Sequence, residues 1–151
     1  MRAVRAIAVT GLIVGTMDII SAIIIALWRG GTVTRLLQFI ASGVLGPQAF
    51  QGGTATAVLG LALHFFIAFS LVIVFYAAGR SLVFVREHAV ASGIIYGLVV
   101  YAVMNLVVLP LSAAKPRHSI TGDLIQLGIH MFVIGLPTSL LLRRLSGGTA
   151  S

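Results

Sequence analysis

The amino-acid sequence predicts an all-α membrane protein whose four transmembrane helices form an up-down-up-down bundle. Of its 151 residues, 59% are hydrophobic and 9% are charged, and the mean hydropathy is +1.13. A helix needs roughly 20 mostly apolar residues to cross a bilayer, and four such runs occur, at about residues 6–28, 55–78, 89–110 and 121–142. Because the remaining segments are short, we expect one membrane domain over residues 1–151, with any function in or at the lipid bilayer.

The first connection is long and has a helical pattern of its own. Between about residues 32 and 46, apolar side chains recur at near-helical spacing beside polar ones. The apolar residues are Leu36, Leu37, Ile40, Val44 and Leu45. We therefore expect a short interfacial or re-entrant helix in this connection.

Positive charge is spread over the helix ends. The net charge is +7, but the ten basic residues occur singly and in pairs, which predicts contact with lipid headgroups and no binding of nucleic acid. Six of them, Arg2, Arg5, Arg80, Arg86, Arg143 and Arg144, fall on one side of the predicted bundle. The other four are Arg29, Arg35, Lys115 and Arg117. By the positive-inside rule, both termini are expected in the cytoplasm.

Two short matches indicate that the second pair of spans repeats the first. A pair of glycines in the first span, Gly11 and Gly15, recurs 82 residues later in the third span. A histidine in the second span, His64, recurs 66 residues later as His130 in the fourth. We expect a tandem repeat of two helical hairpins related by an axis along the membrane normal, as in parallel-repeat transporters.

Three ionisable residues fall at the same predicted depth. At 1.5 Å per residue, Asp18, His64 and His130 all lie within roughly 3 Å of the bilayer centre, and Asn105 lies roughly 8 Å outward from that centre. A carboxylate at this depth costs on the order of 2.5–3.5 kcal/mol and needs a partner. The simplest interpretation is a buried polar cluster in which Asp18 accepts hydrogen bonds and holds the bundle together.

A b-type haem is one alternative interpretation of the two histidines. His64 and His130, at one depth on the second and fourth spans, could ligate one iron from opposite sides, as in four-helix membrane cytochromes b, to which this arrangement is similar. Glycines on the other two spans would leave flat space for a porphyrin, or would instead allow close helix packing. These glycines are Gly11, Gly15, Gly93 and Gly97.

The same three ionisable residues allow two further interpretations. Asp18, His64 and His130 form a two-histidine, one-carboxylate set that could bind a divalent metal such as zinc or iron. They could also relay a proton or another cation, a common role of intramembrane Asp and His, and four spans would then act as a homo-oligomer. The sequence contains no cysteine, no HExxH motif and no second carboxylate on the same face, so we do not expect an enzyme.

The fourth span contains two local signals. Pro137 follows Gly135 within the apolar run and is expected to kink the helix, because proline removes one backbone hydrogen bond. At the start of the span, Thr121 is a candidate N-cap and Asp123 lies in the expected first turn.

Several segments together resemble a known family. They are the Gly11 and Gly15 span, Leu63-His64, the run from Asn105 to Ser112, Ile129-His130, and Gly135-Leu136-Pro137. This pattern resembles the YagU-like family of small bacterial inner-membrane proteins, which has no assigned biochemical activity. The resemblance implies a multi-pass protein of a bacterial inner membrane and supplies no mechanism.

Taken together, the sequence favours a non-enzymatic membrane protein, acting as an accessory component, a homo-oligomer or part of a larger membrane complex. Its organising feature is the predicted cluster of Asp18, His64 and His130. Binding of haem or a metal is the first alternative, and transport of a proton or cation is the second.

Overall fold

A computed structural model describes residues 2–114 and 119–146 of the chain. These residues form helices joined by short turns, with no β-strand among them. The helices are α1 (Arg2–Trp28), α2 (Val33–Leu45), α3 (Gly53–Ser81), α4 (Val83–Glu87), α5 (Ala89–Leu111) and α6 (Ile120–Leu145). A 3₁₀ segment, Gly46–Gln51, connects α2 to α3. The predicted interface residues Lys115 and Arg117 lie outside the described ranges.

Four of the helices, α1, α3, α5 and α6, are long and apolar enough to cross a membrane. Each extends one to four residues beyond one or both ends of its predicted span. Large apolar side chains on all four are exposed, for example Ile24, Phe66, Leu106 and Phe132. Such a surface suits lipid tails and not water. The all-α class and the prediction of a multi-pass membrane protein are confirmed.

Helices α1 and α3 pack through the glycines of α1. A methyl group on Gly11 would overlap the ring of Phe69, and one on Gly15 would lie 2.9 Å from the ring of Phe65. Because Gly11 precedes Gly15 while Phe69 follows Phe65, the two helices run antiparallel. At this interface the ring of Phe69 lies against Gly11 and the ring of Phe65 lies against Gly15.

Helices α5 and α6 pack more closely, with backbone against backbone. A methyl group on Gly93 would lie 2.8 Å from Cα of Leu136, and one on Gly97 would overlap the carbonyl oxygen of His130. The hydroxyl of Ser139 donates a 2.7 Å hydrogen bond to the carbonyl oxygen of Ala89. The order of these contacts makes α5 and α6 antiparallel as well.

The two helix pairs meet mainly through α1 and α6. Helices α3 and α5 are bridged by a side chain: the Tyr96 hydroxyl donates a 2.6 Å hydrogen bond to the carbonyl oxygen of Leu71. The Tyr96 ring also packs edge-on against Phe75, with centroids 4.8 Å apart. These contacts join α3 to α5.

Helix α2 lies against α3 and is bonded to neighbouring segments from its middle and near its end. The Thr32 side chain caps it by accepting a hydrogen bond from the Arg35 amide. The Gln38 side chain donates to the carbonyl oxygen of Gly53 at 3.1 Å, and the Ala113 amide donates to the carbonyl oxygen of Gly43 at 3.0 Å. The predicted segment is thus helical, and it links the start of α3 to the end of α5.

Each proline inside a long helix follows a π-helical segment. Met104–Val108 precedes Pro110 in α5, and His130–Gly135 precedes Pro137 in α6. A proline ring collides with the carbonyl group four residues earlier in an α-helix. At the end of each π segment, the amides of Leu109 and Leu136 donate hydrogen bonds to the carbonyl oxygens of Met104 and Met131, five residues earlier. This bonding widens the helical turn before each proline. Where the sequence predicted a kink at Pro137, the structure has this π segment.

Candidate functional site

A cavity of about 130 Å³ lies inside the bundle. Helices α1, α2, α3, α5 and α6 all contribute side chains to its wall. Asp18, His64 and His130, which the sequence placed at one depth, all line it. Apart from these three residues and Thr138, the wall is apolar and includes Val14, Ile40, Ile67, Leu71, Met104 and Ile134. The structure therefore brings the three ionisable residues to one partly open, mostly apolar cavity.

Asp18 and His64 form the closest pair in the cavity. Oδ2 of Asp18 lies 4.0 Å from Nδ1 of His64, and the two side chains are 29% and 11% exposed. This distance is within reach of an ion pair but longer than a hydrogen bond. The Asp18 carboxylate is therefore accessible from the cavity and is not sealed by the imidazole.

The other nitrogen of His64 is engaged by the backbone. Nε2 lies 2.8 Å from the carbonyl oxygen of Gly15 on α1. A carbonyl oxygen only accepts, so Nε2 must carry the proton and donate. In the neutral imidazole, Nδ1 is then an acceptor, and it is Nδ1 that faces Asp18.

His130 has the opposite arrangement. Its Nδ1 lies 2.7 Å from the carbonyl oxygen of Gln126, one turn earlier in α6, so Nδ1 donates and Nε2 is the acceptor of the neutral ring. The edge of its ring packs against Tyr101, with centroids 5.6 Å apart. In both neutral imidazoles, the N–H group thus donates a hydrogen bond to a backbone carbonyl oxygen.

No protein family, curated protein sequence or solved structure matches this chain. The resemblance to the YagU-like family stays a prediction. Asp18, His64 and His130 present hydrogen-bond acceptors to one cavity. Acceptors of this kind can pair with a proton or another cation.

The residues do not fit a haem. His64 would ligate iron through a ring nitrogen, but its Nε2 is held by Gly15 and its Nδ1 faces Asp18. The notches at Gly11 and Gly97 hold a phenylalanine ring and backbone atoms. A volume of about 130 Å³ is also below the roughly 300–1,000 Å³ typical of ligand and cofactor sites.

The three residues do not form a ready metal site either. Within residues 2–114 and 119–146, no group of three His, Asp or Glu side chains is arranged to hold a metal ion. A divalent metal holds its ligands at about 2.0–2.2 Å; Asp18 and His64, 4.0 Å apart, could share one, but His130 is not grouped with them as a third ligand.

Asn105 lies apart from the other three members of the predicted cluster. It is not part of the cavity wall, and its side-chain amide donates a 2.9 Å hydrogen bond to the carbonyl oxygen of Tyr101 in its own helix. The neighbouring residue Met104 lines the cavity instead. Met104 and Thr138 of the cavity wall were not predicted from the sequence. Pro110 and Pro137, which lie in the same helices, were the signals of a local irregularity.

We predict opposite tautomers for the two cavity histidines. Because Nε2 of His64 and Nδ1 of His130 each donate to a carbonyl oxygen, the neutral rings should be protonated at different nitrogens. Nitrogen-15 NMR of histidine-labelled protein, with each residue assigned by its His→Phe variant, measures this directly. His88, which is exposed, is the control and should show a mixture. Finding one common tautomer for His64 and His130 would contradict the interpretation.

Proposed function

We propose that this protein binds a proton or another cation at Asp18, His64 and His130 and carries it across the membrane. The observation that supports the proposal is that these three side chains, from α1, α3 and α6, line one cavity inside the bundle. A carboxylate at mid-membrane is costly by on the order of 2.5–3.5 kcal/mol. A bound cation or proton offsets this cost, and exchange of that cation is the simplest use of the site.

The proposal includes an orientation in the membrane. The alternating helices would form an up-down-up-down bundle in a bacterial inner membrane, with both termini and six of the ten basic residues on the cytoplasmic side. Helix α2 would then lie at the outer surface. The YagU-like resemblance is compatible with this location and adds no activity of its own.

The contacts support the tandem repeat as part of the same proposal. Gly15 lies against Phe65 in the first pair of helices, and Gly97 lies against Met131 in the second. These positions are related by the 82- and 66-residue offsets of the sequence matches. Gly11 with Phe69 and Gly93 with Gly135 follow the same offsets. Two copies of one antiparallel hairpin, packed around the cavity, account for this correspondence.

Proton flux through reconstituted protein tests the proposed function. Vesicles containing a pH-sensitive dye receive an external acid pulse while the membrane potential is clamped. We expect the wild-type protein to acidify the lumen faster than protein-free vesicles do. We expect Asp18→Asn to reduce the rate to the protein-free level, because the amide cannot exchange a proton or balance a cation.

Asp123→Asn is the matched control, because it makes the same chemical change in the first turn of α6, outside the cavity wall. It should conduct like the wild type. Equal rates for the wild type, Asp18→Asn and protein-free vesicles, with all proteins folded, would reject proton transport.

An accessory or oligomeric role without transport is the second candidate. It is favoured by the hydrogen bond from His64 to Gly15, which fixes α3 to α1 whether or not a cation is present. Under this interpretation Asp18→Asn leaves flux unaffected and changes only the assembly or the stability of the protein.

A further inference from the structure

We infer that the cavity binds the primary ammonium group of a small apolar molecule. This inference rests on the proposed function, since it names the chemical class of the cation that occupies the site. Its basis is the number of hydrogen-bond acceptors that surround the cavity, together with the size and polarity of the wall.

The site offers acceptors and no free donors on its ionisable residues. Nε2–H of His64 donates a 2.8 Å hydrogen bond to the carbonyl oxygen of Gly15. Nδ1–H of His130 donates a 2.7 Å hydrogen bond to the carbonyl oxygen of Gln126. Nδ1 of His64, Nε2 of His130 and the Asp18 carboxylate are left as acceptors. A primary ammonium group has three N–H donors and one positive charge. It can therefore donate to the Asp18 carboxylate and to Nδ1 of His64, which are 4.0 Å apart, while it neutralises the carboxylate. Nε2 of His130 belongs to the same cavity wall and is a further acceptor there.

A hard metal cation suits this wall less well. Hard cations such as Ca²⁺ and Mg²⁺ take six or more oxygen ligands, and among the described residues of the cavity wall Asp18 provides the only carboxylate. The one hydroxyl in the wall, that of Thr138, donates to the carbonyl oxygen of Ile134 at 2.7 Å. The two other polar residues of the wall, His64 and His130, present nitrogen and not oxygen.

A quaternary ammonium ion is also disfavoured. It has no N–H groups and would leave the acceptors of His64 and His130 unpaired in a mostly apolar space, at a cost in free energy. Proteins recognise quaternary ammonium ions with cages of aromatic rings. The described residues that line this cavity include no phenylalanine, tyrosine or tryptophan.

The volume limits the size of the molecule. An apolar protein cavity of about 150 Å³ accepts benzene, so about 130 Å³ accommodates a molecule of roughly five non-hydrogen atoms. The alkyl part would pack against Val14, Ile67, Leu71 and Ile134, which belong to the wall. A short branched or linear alkylammonium ion fits both the charge and the space.

Two isomeric cations test the inference. Isobutylammonium and tetramethylammonium share one molecular formula and one charge, but only the first has N–H donors. We would measure their binding to the purified wild-type protein in mild detergent by titration calorimetry, with protein-free micelles and neutral isobutanol as controls for partitioning. Because hydrogen bonds to charged groups are worth more than a factor of ten in binding, we expect isobutylammonium to bind at least about tenfold more tightly.

Variants then assign the preference to the cavity. We expect Asp18→Asn to abolish isobutylammonium binding, His130→Phe to reduce the preference over tetramethylammonium, and Asp123→Asn to leave both unchanged. The wild-type comparison stands without any variant, so a variant that fails to fold does not decide the result.

The outcomes separate this inference from the proposed function. Equal affinity for the two isomers, or binding of neither one, overturns the ammonium class. If Asp18-dependent proton flux is observed at the same time, cation transport stands and the cargo is the proton alone. Selective isobutylammonium binding without any flux supports the ammonium site and rejects transport.

Discussion

Replacing Gly97 by alanine is expected to separate α5 from α6 and to destabilise the protein by on the order of 3 kcal/mol. The added methyl group would overlap the carbonyl oxygen of His130 and lie 2.7 Å from its carbonyl carbon. Backbone atoms inside a helix cannot move aside as a flexible side chain can, so the whole interface must open. Unfolding by a harsh detergent, followed by circular dichroism, measures the change against the wild type.

Two other glycines give the control and the scale for this prediction. Gly128→Ala should be nearly neutral, because a methyl group there meets no atom within 4 Å. Gly15→Ala should cost less than Gly97→Ala, because the obstructing atoms belong to the side chains of Phe65 and Ala68. If Gly97→Ala is as stable as Gly128→Ala, the close backbone approach of α5 and α6 is wrong.

Replacing Gly60 by alanine is expected to detach α2 from α3 and to open the cavity. The methyl group would overlap the carbonyl oxygen of Leu37 and lie 3.3 Å from the amide nitrogen of Ala41. Both atoms belong to the backbone of α2, and Ile40 between them lines the cavity. Overpacking at Gly60 lowers the free energy needed to separate α2 from α3. We therefore expect reagents in the aqueous phase to reach the Ile40 position about tenfold faster or more.

Cysteine labelling measures this access without background, since the sequence contains no cysteine. An Ile40→Cys protein is labelled with a water-soluble maleimide, alone and in combination with Gly60→Ala. Gly128→Ala in the same background is the matched control and should not change the rate. Equal labelling rates in all three proteins would mean that α2 does not cover the cavity.

The membrane helices could be predicted because their cause is local. A run of about twenty apolar residues is enough to specify a spanning helix, and each of the four runs became one. The common depth of Asp18, His64 and His130 followed from the fixed rise of 1.5 Å per residue. That expectation needed only the helix limits. The structure places the three residues at one cavity, and their depth in a membrane stays a prediction.

Rotation about each helix axis could not be predicted in the same way. Asn105 was grouped with the buried cluster by depth, but successive residues of a helix are about 100° apart. Met104 faces the cavity while Asn105 bonds to its own helix. Depth comes from counting residues, whereas orientation depends on which face of each helix packs against its neighbours. The sequence alone did not contain that information.

Hydrogen-bond partners also depended on tertiary contacts. The carbonyl oxygen of Gly15 reaches His64 only because α1 and α3 approach closely at that glycine, and a histidine pattern in the sequence does not reveal this approach. At the start of α6, the side chain of Ser119 accepts from the Gly122 amide and is the cap, where Thr121 was predicted. Several polar residues in succession make such a boundary ambiguous from sequence.

The π segment of α6 separates two α-helical parts, Ile120–Ile129 and Leu136–Leu145. His130 begins that segment and Gly135 ends it, while Gly135 also lies against Gly93 and Gly97 of α5. The carbonyl oxygen of His130 also faces Gly97, so backbone atoms at both ends of the π segment are held against α5. The interface between α5 and α6 therefore sets the position of His130 in the cavity wall. We expect that a change at this interface also changes the cavity, although the interface residues Gly93 and Gly97 do not line it.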